Sequence, residues 1–177
     1  MTVVQVIVST SPYRRTRKSV KGFYKIANSA AYPLHIMVRY EIEKEIAKGN
    51  VDYDKLPELW ADKYEEYLGV RPANYKEGVL QDMHWSTGYL GYFPTYALGS
   101  AYAAQLYATM EKQFDVEEAL LTNHFEKITN WLKDNVHHYA ASKSMAEIVE
   151  EVSGEPFNPD YYTDYLIKKY KKLYNLD

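Results

Sequence analysis

The stretch DKLPELWADKYEEYLG, Asp54–Gly69, decides the fold class. Leu56, Leu59, Trp60, Tyr64, Tyr67 and Leu68 recur at i, i+3, i+4, i+7 and i+8, with Lys63 the one break. That period puts the apolar side chains on one face of an α-helix and leaves the acids on the other. Asp54 is the expected N-cap and Gly69 the expected stop. Pro57 falls near the start, where a missing N–H is tolerated.

The same period runs outward in both directions. Upstream, Leu34, Met37, Val38 and Ile42 mark a helix that begins after Pro33 and ends at Gly49, with Lys44 and Lys48 in its last turns. Downstream, residues 70–94 hold Gly78, Gly88, Gly91, Pro72 and Pro94, so long regular structure is not expected there. Pro94 then opens a helix over roughly Thr95–Gln113, whose run of Ala, Gly and Ser lets neighbouring backbones approach and predicts a central position. Asp115–Leu121 and Phe125–His138 read as two further helices. Ser144-Met145-Ala146-Glu147 is a capping box, followed by Ile148, Val149 and Val152 on one face and Gly154 as terminator. Asn158-Pro159 starts the last helix, with Tyr162, Tyr165, Leu166, Tyr170 and Leu173 on its apolar side. The expected fold is all-α, an antiparallel bundle of helix hairpins. Only Val3–Val8 reads as a strand, and it has no partner strand.

Charge is unevenly spread. Residues 1–40 carry seven of the 21 Lys and Arg and none of the 24 acids; the first carboxylate is Glu41. A solvated basic arm is the first reading of this segment. A phosphate-binding patch and a transit peptide are the alternatives, although no aromatic-and-basic motif of a nucleic-acid-binding module accompanies it. Nucleic acid is therefore not expected as a partner, and neither is a membrane, since no apolar run is long enough to cross one. The chain has no Cys, which excludes disulfides and thiolate metal sites and favours a cytoplasmic address. Tyr outnumbers Phe by 19 to 5. Tyr suits interfaces and half-buried clefts, because its ring is apolar and its tip is polar.

Reactive side chains are densest at Gln81-Asp82-Met83-His84-Trp85, followed by Tyr89, Tyr92 and Tyr96. This is the Gly- and Pro-punctuated region, where site residues collect. By residue content alone, an Asp beside a His is more often a structural pair than a catalytic one.

The run GVLQDMHW, Gly78–Trp85, fits the G-x-x-Q-D-x-H-W signature of the carboxypeptidase Taq family of zinc metallocarboxypeptidases. LHIMVRYEIEK (Leu34–Lys44), LPELWADKYEEYLGVRP (Leu56–Pro72), GYFPTYALGSAYAAQ (Gly91–Gln105) and GEPFNPDYY (Gly154–Tyr162) resemble further segments of that family, in order. The resemblance read from these motifs covers residues 32–177 and implies the C-terminal part of a larger, mainly helical peptidase that removes C-terminal amino acids from peptides. It also implies roles: His84, Tyr92 and Tyr96 as vestigial catalytic residues on the transition-state side of the cleft, and Gln81 and Asp82 as substrate-binding, with Asp82 orienting His84. Trp85 is expected to pack.

The family's metal is held by an H-E-x-x-H motif and a downstream Glu. No H-E-x-x-H occurs here, and His137 and His138 are adjacent, so on a helix they point about 100° apart. No metal ligand is therefore assigned, and no cofactor is expected in this chain, although zinc or another divalent metal belongs to the complete family enzyme. Before Tyr32 the family carries an acidic segment of the form I-R-x-E-A-D-E, whereas this chain reads KIANSAA, Lys25–Ala31. Residues 1–31 are thus expected to be a basic segment unlike the family, and 32–177 a helical domain. An interrupted reading frame, or a short paralogue with its own arm, accounts for both the charge break and the end of the match. The expectation is a truncated remnant without hydrolase activity by itself, which self-associates as a homo-oligomer. A peptide-binding module and an enzyme completed in trans by a separate N-terminal half are the alternatives.

Overall fold

In the computed structural model, residues 20–176 are described for their backbone and residues 31–176 for their side chains. Among them are seven α-helices and no strand. The expected strand at Val3–Val8 lies outside the described residues. The described chain divides into two compact units, residues 20–98 and 99–176.

The first unit is built on α1 (Val20–Ala47) and α2 (Leu56–Leu68), joined by a short connection that ends in a 3-10 turn, Tyr53–Lys55. Helix α1 does not start after Pro33, as the sequence predicts, but runs through it. Pro removes one backbone bond and crowds the preceding turn. Burial of Ile36, Val38 and Ile42 just downstream, each at most 4% exposed, offsets that cost. The buried face also differs from the predicted one. Met37 turns outward, while Arg39 and Glu43 turn in beside Val38 and Ile42. Gly49 ends α1 with its N–H on the Ile46 carbonyl at 3.0 Å, in the left-handed conformation that glycine adopts without strain.

Helix α2 begins without a side-chain cap of its own, because Asp52 and not Asp54 does the capping. The Asp52 carboxylate accepts the Asp54 N–H at 3.1 Å, and the 3-10 turn feeds directly into α2. Gly69 stops the helix as expected, donating to the Glu65 carbonyl at 2.9 Å. Trp60, 1% exposed, joins Val38 and Ile42 as the centre of this core, with Leu56, Leu59, Tyr64, Val79 and Trp85 around it.

The second unit contains most of α3 (Thr95–Glu111), then α4 (Val116–Leu121), α5 (Phe125–Asn135), α6 (Met145–Ser153) and α7 (Asp160–Tyr174). Helix α3 is central here, burying Ala101, Ala103, Ala104, Gln105, Leu106, Thr109 and Met110. Leu106 and Met110 meet Val116 of α4, Ile128, Trp131 and Leu132 of α5, and Ile148 and Val149 of α6 in one core. The capping box at Ser144 and Glu147 is formed, and Asp115 caps α4 by accepting the Glu118 N–H at 2.8 Å. Helix α5 stops at Asn135, so His137 and His138 stand on a 3-10 turn rather than in the helix.

A buried glutamine ties α3 to the entry of α7. Gln105 is fully buried; its Nε2 donates to Ser153 Oγ at 3.0 Å and to the Pro156 carbonyl at 3.1 Å, and its Oε1 accepts the Asn158 N–H at 2.9 Å. A polar side chain can be buried at this depth only if its bonding groups are met, and here all three bonds lead to one loop.

Candidate functional site

The signature segment begins at Gly78, which is buried against the core of the first unit. A Cβ there would lie 3.3 Å from the Asn74 carbonyl oxygen and 3.6 Å from Trp60 Cδ1, so no side chain fits without displacing backbone. Two 3-10 turns follow, Val79–Gln81 and Trp85–Thr87, with the extended residue Asp82 before the second. Repeated turns without a long helix are what the local Gly and Pro content requires.

Asp82 organises the segment. Its Oδ1 accepts the backbone N–H groups of His84 at 2.8 Å and Trp85 at 2.9 Å. Its Oδ2 accepts Arg39 Nε at 2.6 Å in an ion pair whose side chains are 8% and 1% exposed. Asp82 thus meets His84 at its backbone N–H and not at its ring. Gln81 points elsewhere: it is exposed, and its Nε2 donates to the Lys76 carbonyl at 2.5 Å.

The His84 ring stands in an aromatic cluster. It stacks on Tyr92 at 5.3 Å with 29° between planes, meets Phe93 edge-on at 5.3 Å, and lies 6.3 Å from Tyr96. Tyr92 and Tyr96 are perpendicular at 5.6 Å. The structure thus brings together three of the residues singled out in the sequence, His84, Tyr92 and Tyr96. Desolvation first, and a hydrogen bond with Tyr92 second, push the Tyr96 phenol above its ordinary value. Trp85 packs, as expected, edge-on to Trp60 at 5.5 Å, and its Nε1 donates to Glu43 Oε1 at 2.7 Å.

Three neighbours, Tyr32, Arg39 and Glu43, were not legible as site residues. Tyr32 lies 6.5 Å from Tyr96 and 6.1 Å from Phe93. Arg39 and Glu43 reach the segment from α1. Charged residues in an amphipathic helix read as solvated, yet their spacing from Ile36 and Ile46 already puts them on the inner face. Glu43 Oε2 and Trp60 Nε1 are buried with no hydrogen-bond partner among the described residues.

His35, one turn before Arg39, packs edge-on to Tyr64 at 5.2 Å. Burial, and then the Arg39 cation, hold its pKa below the usual histidine value. In the unfolded chain it takes up a proton near pH 6.5, whereas in the fold it resists doing so. The stability it confers is present above about pH 6.5 and is lost as the pH falls from there through the folded value. Urea unfolding of the wild type at pH 7.5 and 5.5, conditions chosen to span about 6.5, is expected to show a lower midpoint in acid. His35→Gln is expected to flatten that difference. A wild-type midpoint that rises on acidification would refute the assignment.

Among the described residues no group of three or more His, Asp or Glu converges as a metal site. The donor set of a catalytic metal is not met by these residues, and no chemical step is derived through one.

The carboxypeptidase Taq (M32) metallopeptidase family profile matches residues 10–170, beginning upstream of the resemblance read over residues 32–177. Carboxypeptidase 1 of Bacillus subtilis (strain 168) is 44% identical over 165 residues, covering 92% of this chain and 33% of the relative. Thermostable carboxypeptidase 1 of Thermus thermophilus is 40% identical over 149 residues, covering 84% and 29%. The structure of Trypanosoma cruzi metallocarboxypeptidase 1 superposes with a TM-score of 0.75 at 37% identity, covering 79% of this chain and 30% of that one. The chain spans about a third of the length of the curated relatives it matches.

Proposed function

Because the chain belongs to the carboxypeptidase Taq (M32) metallopeptidase family, we propose that it forms the metal-free wall of a carboxypeptidase cleft and does not trim peptides by itself. The observation that carries this reading is the grouping of Tyr92 and Tyr96 around the ring of His84, whose backbone N–H is held by Asp82. When a peptide carbonyl is attacked, negative charge develops on its oxygen, and preorganised donors aimed at that oxygen stabilise it. The His84 ring and the Tyr96 phenol supply such donors. Asp82 acts only through His84, since its oxygens are already engaged. The metal that activates the water in the complete enzyme would come from polypeptide outside the described residues. With no cysteine and no described helix long and apolar enough to span a membrane, the cytoplasm is the proposed compartment.

The test is a C-terminal trimming assay with added zinc, run on this chain alone and on this chain mixed with the remaining two-thirds of a relative. The chain alone is expected to be silent. The mixture is expected to trim, and His84→Ala is expected to lower kcat in it with little change in KM. In the isolated chain, His84→Ala should cost only about 1 kcal/mol, the worth of its ring contacts. Trimming by the isolated chain that disappears with His84→Ala would overturn the proposal.

Exposed apolar side chains favour a second property. Met83, Tyr89, Leu90, Tyr92 and Leu98 are each about half exposed or more in the first unit, which supports self-association through this face. Light scattering at roughly tens of micromolar should give a dimer or larger species. A clean monomer under those conditions would count against it.

A further inference from the structure

We infer that Arg39 is the positioning residue for His84, holding its backbone through Asp82 and its ring through Phe93. This rests on the reading of His84 as the acting donor and adds the group that aims it.

Arg39 sits on the buried face of α1, 7% exposed. Its guanidinium lies 4.6 Å from the centre of the Trp60 ring and 4.2 Å from that of Phe93. In addition, Nη1 donates to the His35 carbonyl at 3.1 Å, one turn back along the same helix. Trp60 belongs to the core, so the cation is anchored from inside the unit.

Two routes lead from this cation to His84. By the first, Nε holds Asp82 Oδ2 at 2.6 Å, and Asp82 Oδ1 holds the backbone N–H groups of His84 and Trp85. By the second, Phe93 packs against the guanidinium and also meets the His84 ring edge-on at 5.3 Å. Backbone and ring of one histidine are thus tied to the same group. Only a planar, multiply donating cation can do this. A lysine ammonium keeps the charge but cannot lie flat against rings and donate in its own plane.

A purely structural role for Arg39 predicts that its loss loosens the whole first unit. A positioning role predicts a local effect at His84. The experiment is NMR on the labelled chain, reading two quantities in wild type, Arg39→Gln and Arg39→Lys. One is hydrogen exchange at the His84 and Trp85 amides, with the Ile42 and Leu59 amides as core references. The other is the shift of the His84 ring protons, which Tyr92 perturbs by stacking, with exposed His137 as the reference.

In Arg39→Gln, exchange at His84 and Trp85 is expected to accelerate about tenfold relative to Ile42 and Leu59. The His84 ring signals should move toward those of His137, which stay in place. Arg39→Lys, the variant to use if Arg39→Gln does not fold, should shift the ring signals in the same direction while protecting the amides in part. The inference is overturned if a folded Arg39 variant leaves His84 unchanged, or if exchange rises equally at Ile42 and Leu59. Neither readout requires peptide trimming. Failure here therefore leaves the proposed function standing, and a silent trimming assay leaves this inference standing.

Discussion

Asp82→Ala is expected to lower the free energy of unfolding by about 3–5 kcal/mol, the usual cost of leaving one member of a buried ion pair alone. Three partners lose their acceptor at once: the Arg39 guanidinium and the backbone N–H groups of His84 and Trp85. The Arg39 cation stays buried, because the Trp60 and Phe93 rings both lie against it. Asp82→Asn keeps an acceptor and should cost less. Arg39→Met combined with Asp82→Leu should cost less than the sum of the two single changes, since the double variant leaves no stranded charge. Urea unfolding followed by tryptophan fluorescence measures all of these. A loss below about 1 kcal/mol for Asp82→Ala, the range of an exposed pair, would show that water reaches the site and that the ion pair is not the clamp described here.

The second large effect is expected at Gln105, in the other unit. Gln105→Leu fills a similar volume but leaves the Asn158 N–H and the Pro156 carbonyl without their partner. Ser153 Oγ is less affected, because it also donates to the Val149 carbonyl at 2.7 Å. Two unmet backbone groups in a part-buried setting are worth about 2–4 kcal/mol together. The loss should be accompanied by faster hydrogen exchange in the segment leading into α7, since these bonds tie that segment to α3. Gln105→Glu is the informative companion. It keeps an acceptor for Asn158 but buries a carboxylate whose second oxygen faces the Pro156 carbonyl, so near neutral pH it should be less stable than Gln105→Leu. Equal stability of Gln105→Leu and wild type would mean that water replaces the glutamine.

Helix existence was legible because it depends on period, and period is local. Leu56 to Leu68, the capping box at Ser144 and the stops at Gly49, Gly69 and Gly154 all follow from residues within a turn or two of one another. The starts were less legible. Pro33 marks a local cost, and only the downstream burial of Ile36, Val38 and Ile42 shows that the cost is met. Asp54 has the right chemistry for a cap, but Asp52 is where the backbone turns. In the site, the signature residues and the two tyrosines were found by motif, and their grouping followed. The bond from Asp82 to Arg39 was not, since a separation of 43 residues leaves no periodic trace.

By itself the sequence determined the all-helical class and the family, and offered His84, Tyr92 and Tyr96 as candidates, because periodicity, caps and an eight-residue signature are all written in neighbouring residues. Only the tertiary structure decided which distant groups pair with the polar side chains that lie inside. Arg39, Glu43 and Gln105 look like surface residues one at a time. Arg39 and Gln105 are buried where distant partners, Asp82 and the loop at Asn158, meet their bonding groups, whereas Glu43 has one oxygen met by Trp85 and one left without a partner among the described residues.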